Sequence, residues 1–259
     1  MPLITLTTDL GLSDYYVASV KGAILNMLPD AQIIDITHLI PKYDIMKAAF
    51  NLKCAYNSFP KGSIHIVSVN SIETEAYGHI FFEYEGHYFI GADNGLLSIV
   101  VDNQPVTVYQ LKKQENNLVS TFPTREIFIK AAAHIAKGGK PEKIAYKIDG
   151  LRKALLPAAA ANSEFIRGNV LYVDDYGNLI TNVSKEIFNA VGTNKKFTVY
   201  MRNRNQGLRK IYNQYEEVAE GDAIVFFNSL DLLEIAINKG SAAKLMGMKP
   251  NENIRIDFE

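Results

Sequence analysis

Asp9 and Asp14 stand in the stretch Thr7-Thr8-Asp9-Leu10-Gly11-Leu12-Ser13-Asp14, where a short apolar run hands over to a helical one. An ionised carboxylate at such a junction accepts hydrogen bonds from the two hydroxyls of a ribose, holds a metal ion, or satisfies free backbone donors at the turn. The location matters, because open α/β sheets bind ligands beyond the carboxyl ends of their strands. Further polar clusters fall at the ends of expected strands: Asn70-Ser71, Asp93-Asn94-Gly95, Asp174-Asp175-Tyr176-Gly177-Asn178 and Asn228-Ser229. Singly, Asn94-Gly95 reads as a turn and Gly177-Asn178 as a tight hairpin. Cys54 is the only cysteine, so no internal disulfide forms, and the five histidines are too scattered for a zinc site.

These residues need elements to position them. Leu3 to Leu6 predicts a central strand, and Val17, Val20, Ile24 and Met27 recur at helical spacing, with Ser13 or Asp14 as cap and Pro29 as stop. Ala31 to Thr37 reads as a second strand. Asp44 begins a helix whose apolar face is Ile45, Ala48, Ala49, Leu52, Ala55 and Tyr56, ending before Pro60. Ser63 to Val69 is another buried strand, and His79 to Tyr84 with His87 to Ile90 forms a hairpin turned at Glu85-Gly86. Phe128, Ala131, Ala132 and Ile135 mark a helix closed by Gly138-Gly139. The alternation predicts an α/β N-terminal domain with a largely parallel central sheet over residues 1–150. An alanine-rich linker, 151–164, leads to an all-β, barrel-like C-terminal domain at 165–259, without a long helix and with a brief helical turn at Ala242 to Met246.

The totals narrow the function. The 259 residues are 47% hydrophobic and 21% charged, and 27 basic against 28 acidic residues leave a net charge of −1. Neither nucleic acid nor an anionic membrane is indicated as a partner. Met1 opens directly into the first strand with no 18-residue apolar run, so the expected location is the cytoplasm.

The order of the motifs carries more than any one of them. Asp9-Leu10-Gly11, Ile33-Ile34-Asp35-Ile36-Thr37-His38, Phe89 to Leu97, Asp174 to Asn182 and Leu232 to Asn238 together resemble the S-adenosylmethionine (SAM) hydroxide adenosyltransferase family, relatives of the fluorinase and chlorinase. The resemblance spans nearly the whole chain. It implies a homotrimer with ligand sites between the N-domain of one subunit and the C-domain of the next, and SAM as substrate with no cofactor or metal. It assigns Asp9 to the ribose hydroxyls, Asn178 to the adenine edge, and Tyr176, with Tyr215 as a second face, to stacking on adenine. Asp174 and Ser229 match contacts to the amino-acid end, and Tyr43 an aromatic beside the sugar and sulfonium.

The water-activating set departs from the family. Its Asp is replaced by Asn70, no Lys or Arg occurs between Lys61 and Lys112 to supply its Arg, and Pro123 stands where the hydrolases have His. An amide orients water but takes no proton near neutral pH, and a positioned base is worth about 10²–10⁴ in rate. Displacement at C5′ with methionine leaving already has a good leaving group, so orientation and desolvation carry much of it. Thr124 matches the halogenating relatives' hydroxyl position, yet Glu73 falls close to their halide pocket and disfavours an anion there. Asn70, Glu73 and Thr124 are therefore the candidate catalytic residues, with Glu73, or else Glu75, as a replacement base. Three readings follow: a SAM hydrolase, a non-catalytic SAM or adenosine binder, and a nucleotide hydrolase with Asp9 and Asp14 on a metal.

Overall fold

The computed structural model describes residues 1–113, 119–154, 157–201 and 207–259. By its internal contacts the chain divides into Met1–Leu155 and Leu156–Glu259.

In the first unit, β1 (Leu3–Thr8) is buried along nearly its whole length and lies between β2 (Gln32–Thr37) and β3 (Ile64–Ser68), parallel to both. Beyond β3 come β5 (His87–Ala92), β4 (His79–Tyr84), β6 (Val108–Leu111) and β7 (Ala145–Ile148), completing the order β2-β1-β3-β5-β4-β6-β7. Only the half from β2 to β5 is parallel; β4, β6 and β7 pair antiparallel, so the sheet is mixed rather than largely parallel. The cause is local. Glu85 (φ 49°) and Gly86 (φ 78°) form a two-residue turn with both central residues left-handed, which joins only antiparallel neighbours.

The helices are α1 (Tyr16–Met27), α2 (Ile45–Ala55), α3 (Leu96–Val100), α4 (Ile129–Ala136) and α5 (Pro141–Ile144). Asp44 caps α2 as its position predicts, accepting from the Lys47 amide at 2.9 Å. α1 departs from expectation: it follows Tyr15 with no side-chain cap, and Ser13 and Asp14 stay exposed on the turn. Tyr15 stacks on Tyr16 and Tyr16 meets Phe122 edge-on, so ring packing rather than a cap fixes this start. α4 is preceded by a π-helical turn over Thr124–Phe128, closed by the Ile129 amide on the Thr124 carbonyl. Val20, Ile24, Phe128, Ile129 and Ala132 pack over Ile4, Leu6, Ile66 and Ile90 of the sheet to make the core.

The second unit is antiparallel. Its strands are β8 (Ala160–Ala161), β9 (Phe165–Val173), β10 (Leu179–Ser184), β11 (Phe197–Tyr200), β12 (Gly207–Leu208), β13 (Ala223–Phe227), β14 (Leu232–Ile237) and β15 (Asn253–Phe258). They run in the order β12-β11-β15-β9-β10-β14-β13, with β8 added on β9. The Tyr212 amide donates to the Val225 carbonyl at 2.8 Å, drawing the segment after β12 to β13, so the sheet curls into a nearly closed barrel. α7 (Ala242–Met246) occupies the predicted helical turn and ends at Gly247 in the left-handed region. α6 (Lys185–Gly192) is an addition, capped by Ser184 and seated by Phe188 against Phe197, Phe227 and Phe258. No helix among the described residues is long and apolar enough to cross a membrane.

Candidate active site

The parallel register pairs Thr8 with Ser68, which sets Asp9 just past the sheet with its amide donating to the Ser68 carbonyl at 3.3 Å. Asp9 is half-buried; its Oδ2 accepts from the Tyr43 amide at 2.9 Å, and Lys42 Nζ donates to its carbonyl. No other hydrogen bond reaches the Asp9 carboxylate among the described residues. Tyr43 holds a left-handed backbone (φ 67°) and is 72% exposed. An aromatic residue seldom adopts this conformation, which costs of order 1–3 kcal/mol and marks functional sites.

Beside Asp9 lies a knot of hydroxyls. Ser68 Oγ bonds both the Thr124 hydroxyl and the Ser71 hydroxyl, the latter at 2.9 Å. The π-helical turn begins at Thr124, so an irregularity in helix winding sets that hydroxyl against β3. His79 Nε2 donates to the Ser71 carbonyl at 2.8 Å; burial depresses the His79 pKa, while that bond and the Glu73 charge oppose the fall. Asn70 is exposed and left-handed (φ 48°), and Asn94 Nδ2 donates to the Val69 and Asn70 carbonyls, both at 3.0 Å. Asn94-Gly95 is thus more than a turn: it ties the Asn70 loop to the end of β5.

Asp9, Tyr43, Asn70 and Thr124 therefore gather at one end of the parallel strands. Glu73 does not join them. Its Oε1 pairs with Lys113 at 3.1 Å, and it lines a separate cavity of about 170 Å³ with His79, Leu111, Ile127 and Ile144. Asp14 is exposed, and no group of three or more His, Cys, Asp or Glu gathers among the described residues. An arginine does reach the Glu73–Tyr77 loop, from a part of the chain where sequence offered no sign of it. Arg152 donates to the Ala76 carbonyl at 3.1 Å and lies over the Tyr77 ring, while its amide donates to Asp93 Oδ1. Burial raises the Asp93 pKa against that contact.

A second group of candidates lies in the barrel, between β9 and β10. Asp174 accepts the Asn178 amide on Oδ1 at 2.8 Å and the Asn178 side-chain Nδ2 on Oδ2 at 3.1 Å. Asn178 Nδ2 also donates to the Tyr215 hydroxyl at 3.3 Å. Gly177 between them is left-handed (φ 86°), and any Cβ there would collide with the Ser241 hydroxyl, so no other residue fits the turn. Tyr176, Asn178, Tyr215, Lys239 and Ser241 line a hollow of about 470 Å³, with Tyr176 82% exposed. Ser229 sits exposed on the turn joining β13 and β14, beside Asn228.

Beneath this group is a residue the sequence reading passed over. Glu234 is buried on β14 and accepts from Asn228 Nδ2 at 2.9 Å. Burial first and the Asp174 charge next raise its pKa; burial, Glu234 and Asp174 push Tyr215 up to about 12. The available signal was one acid inside the apolar run Leu232-Leu233-Glu234-Ile235-Ala236-Ile237.

Residues 4–145 match the SAM hydroxide adenosyltransferase N-terminal domain, and residues 168–255 match the C-terminal domain. The (R)-S-adenosyl-L-methionine hydrolase of Thermus thermophilus is 28% identical over 260 residues, covering 96% of this chain and 97% of that protein. The protein of the same name from Methanocaldococcus jannaschii is 29% identical over 276 residues, covering 100% and 97%. An uncharacterised conserved protein of Thermotoga maritima, solved by crystallography, superposes with a TM-score of 0.86 at 27% identity, covering 98% of this chain and 99% of its own.

Proposed function

Because the chain belongs to the SAM hydroxide adenosyltransferase family, we propose that it hydrolyses S-adenosyl-L-methionine to adenosine and L-methionine. A water oxygen bonds C5′ from the side opposite sulfur while the C5′–S bond breaks. The electron pair of that bond returns to sulfur as a neutral thioether, and the surplus proton of the water leaves to solvent. No cofactor or metal takes part.

The observation that carries this reading is the Asp9 carboxylate, fixed through Oδ2 by the Tyr43 amide at the end of the parallel strands. In this role it accepts the ribose diol in charge-assisted hydrogen bonds, with the Tyr43 ring beside the sulfonium. Asn70 and the hydroxyls of Ser68, Ser71 and Thr124 orient the attacking water. Asn178, Tyr176 and Tyr215 receive adenine, and Asp174 and Ser229 the amino-acid end. Glu73 is given no part in the bond-breaking step, since its carboxylate is paired with Lys113.

Both groups serve one ligand when the N-terminal unit of one subunit meets the C-terminal unit of the next in a homotrimer. Support comes from the exposed Leu12, Tyr15, Leu39 and Tyr43, which crowd the Asp9 turn as an apolar patch suited to a second chain. A second reading, a SAM binder without turnover, is favoured by Asn70 and Pro123 at positions where hydrolases carry Asp and His.

The test is incubation of the protein with each sulfonium epimer of SAM, chromatography for products, and calorimetry of binding. Adenosine and methionine released in equal amounts support hydrolysis, with Asp9→Asn expected to lower kcat/KM about 10- to 100-fold. Binding without products establishes the second reading. Neither binding nor products overturns both.

A further inference from the structure

The turn that carries Asp9 is held by a buried relay with no part in the proposal above. His38 and Thr8 are both buried, and His38 Nδ1 lies 2.8 Å from Thr8 Oγ1. Thr8 Oγ1 accepts from the Leu10 amide at 3.2 Å, and the Gly11 amide donates to the His38 carbonyl at 2.8 Å. Asp9 is thereby tied to one histidine on both sides, through its ring before and its carbonyl after. On the far side of the ring, Nε2 stands 3.1 Å from Asp35 Oδ1, an ion-pair distance without hydrogen-bond alignment. The other Asp35 oxygen takes Lys21 Nζ at 2.6 Å.

The chemistry fixes a direction along this relay. A carboxylate near Nε2 favours the proton there, which leaves Nδ1 as acceptor for the Thr8 hydroxyl; Thr8 Oγ1 in turn accepts from Leu10. Each donor but one then has an aligned partner, and the turn bearing Asp9 is left with one arrangement.

We propose that His38 is a positioning residue, set by Asp35, that holds the Asp9 carboxylate in aim through Thr8 and Gly11. The proposal rests on Asp9 as acceptor of the ribose diol. A preset carboxylate binds the diol without first ordering its own turn, so loss of the relay weakens diol recognition while the remaining contacts persist.

The experiment is calorimetry of the full chain with adenosine and with 2′-deoxyadenosine, read as the ratio of the two affinities and accompanied by a thermal melt. The native protein is expected to favour adenosine about 10- to 100-fold, and Asp9→Asn to remove that preference. His38→Gln and Thr8→Val are expected to bring the ratio within about threefold of unity with 2′-deoxyadenosine affinity kept, and Thr8→Ser to restore it. Asp35→Asn, at a partly exposed site that folding tolerates, lowers the ratio about threefold even where the buried variants fail to fold. In the Asp9→Asn background His38→Gln changes nothing further. A native ratio kept in folded His38→Gln or in Asp35→Asn, or an equal loss for both nucleosides, overturns the proposal and leaves Asp9 its role. A native protein that ignores the 2′-hydroxyl removes the Asp9 reading, and this inference with it.

Discussion

Asn178 has both amide hydrogens engaged, one by Asp174 and one by Tyr215, and so offers only its carbonyl oxygen to whatever enters the hollow. That oxygen accepts from an exocyclic amine and repels a carbonyl. Tyr215 thereby acts as an orienting hydroxyl as well as a ring. Tyr215→Phe frees one amide hydrogen, and the preference for adenosine over inosine is expected to drop about 2- to 10-fold, measured by competitive binding. The candidate residues were legible because they fall at strand ends in a telling order: Asp9, Asn70, Asp174 and Asn178 each lie there. Their supports were not, because Ser68 and His38 act through bonds to Thr124 and Thr8, far away in sequence, which no local pattern encodes.

Among the elements, β3 and β5 carry a buried histidine pair. Thr5 Oγ1 meets His65 Nδ1 at 2.7 Å, and His65 Nε2 meets His87 Nδ1 at 3.2 Å, with the Tyr56 ring edge-on to both. Burial and then the charge of His87 depress His65 to about 3; burial and Lys61 lower His87 against the opposing charge of Glu85. The folded state therefore refuses protons that the unfolded chain takes up near pH 6.5, so stability is complete above that value and is lost as pH falls toward 3. From pH 7 to pH 5 the loss through His65 alone is about 2 kcal/mol, read as a falling urea midpoint that His65→Gln makes less steep. The same strands show where element prediction holds and where it stops. The strands β1 to β5 and the Glu85-Gly86 hairpin follow from periodicity, but the neighbour that an inserted hairpin takes depends on the whole sheet. α1 likewise took its start from ring stacking, a contact that outranks the preference for a polar cap.

For the molecule as a whole, the short strands and frequent turns past residue 150 gave the antiparallel, curled sheet of the second unit its trace in composition, while α6 beside it left none. Assembly leaves a fainter trace: apolar side chains that a lone chain has no reason to display. Leu39 is 65% exposed next to the Asp9 turn. If the proposed homotrimer forms through this face, Leu39→Glu is expected to leave the melting temperature of the isolated chain unchanged, convert that assembly to single chains in sedimentation equilibrium, and abolish turnover in parallel. A monomeric variant with full activity would show that one chain suffices.

The wide turn at Thr124–Phe128 has a bearing on how this hydroxyl cluster is held together. Such turns arise when a helix absorbs one surplus residue without unwinding. Wound as a regular α-helix, the same residues would put Thr124 about 100° further around the axis, carrying its hydroxyl off Ser68 while the helix downstream stays seated. The meeting of Thr124 with Ser68 thus depends on the extra residue that the wide turn takes up.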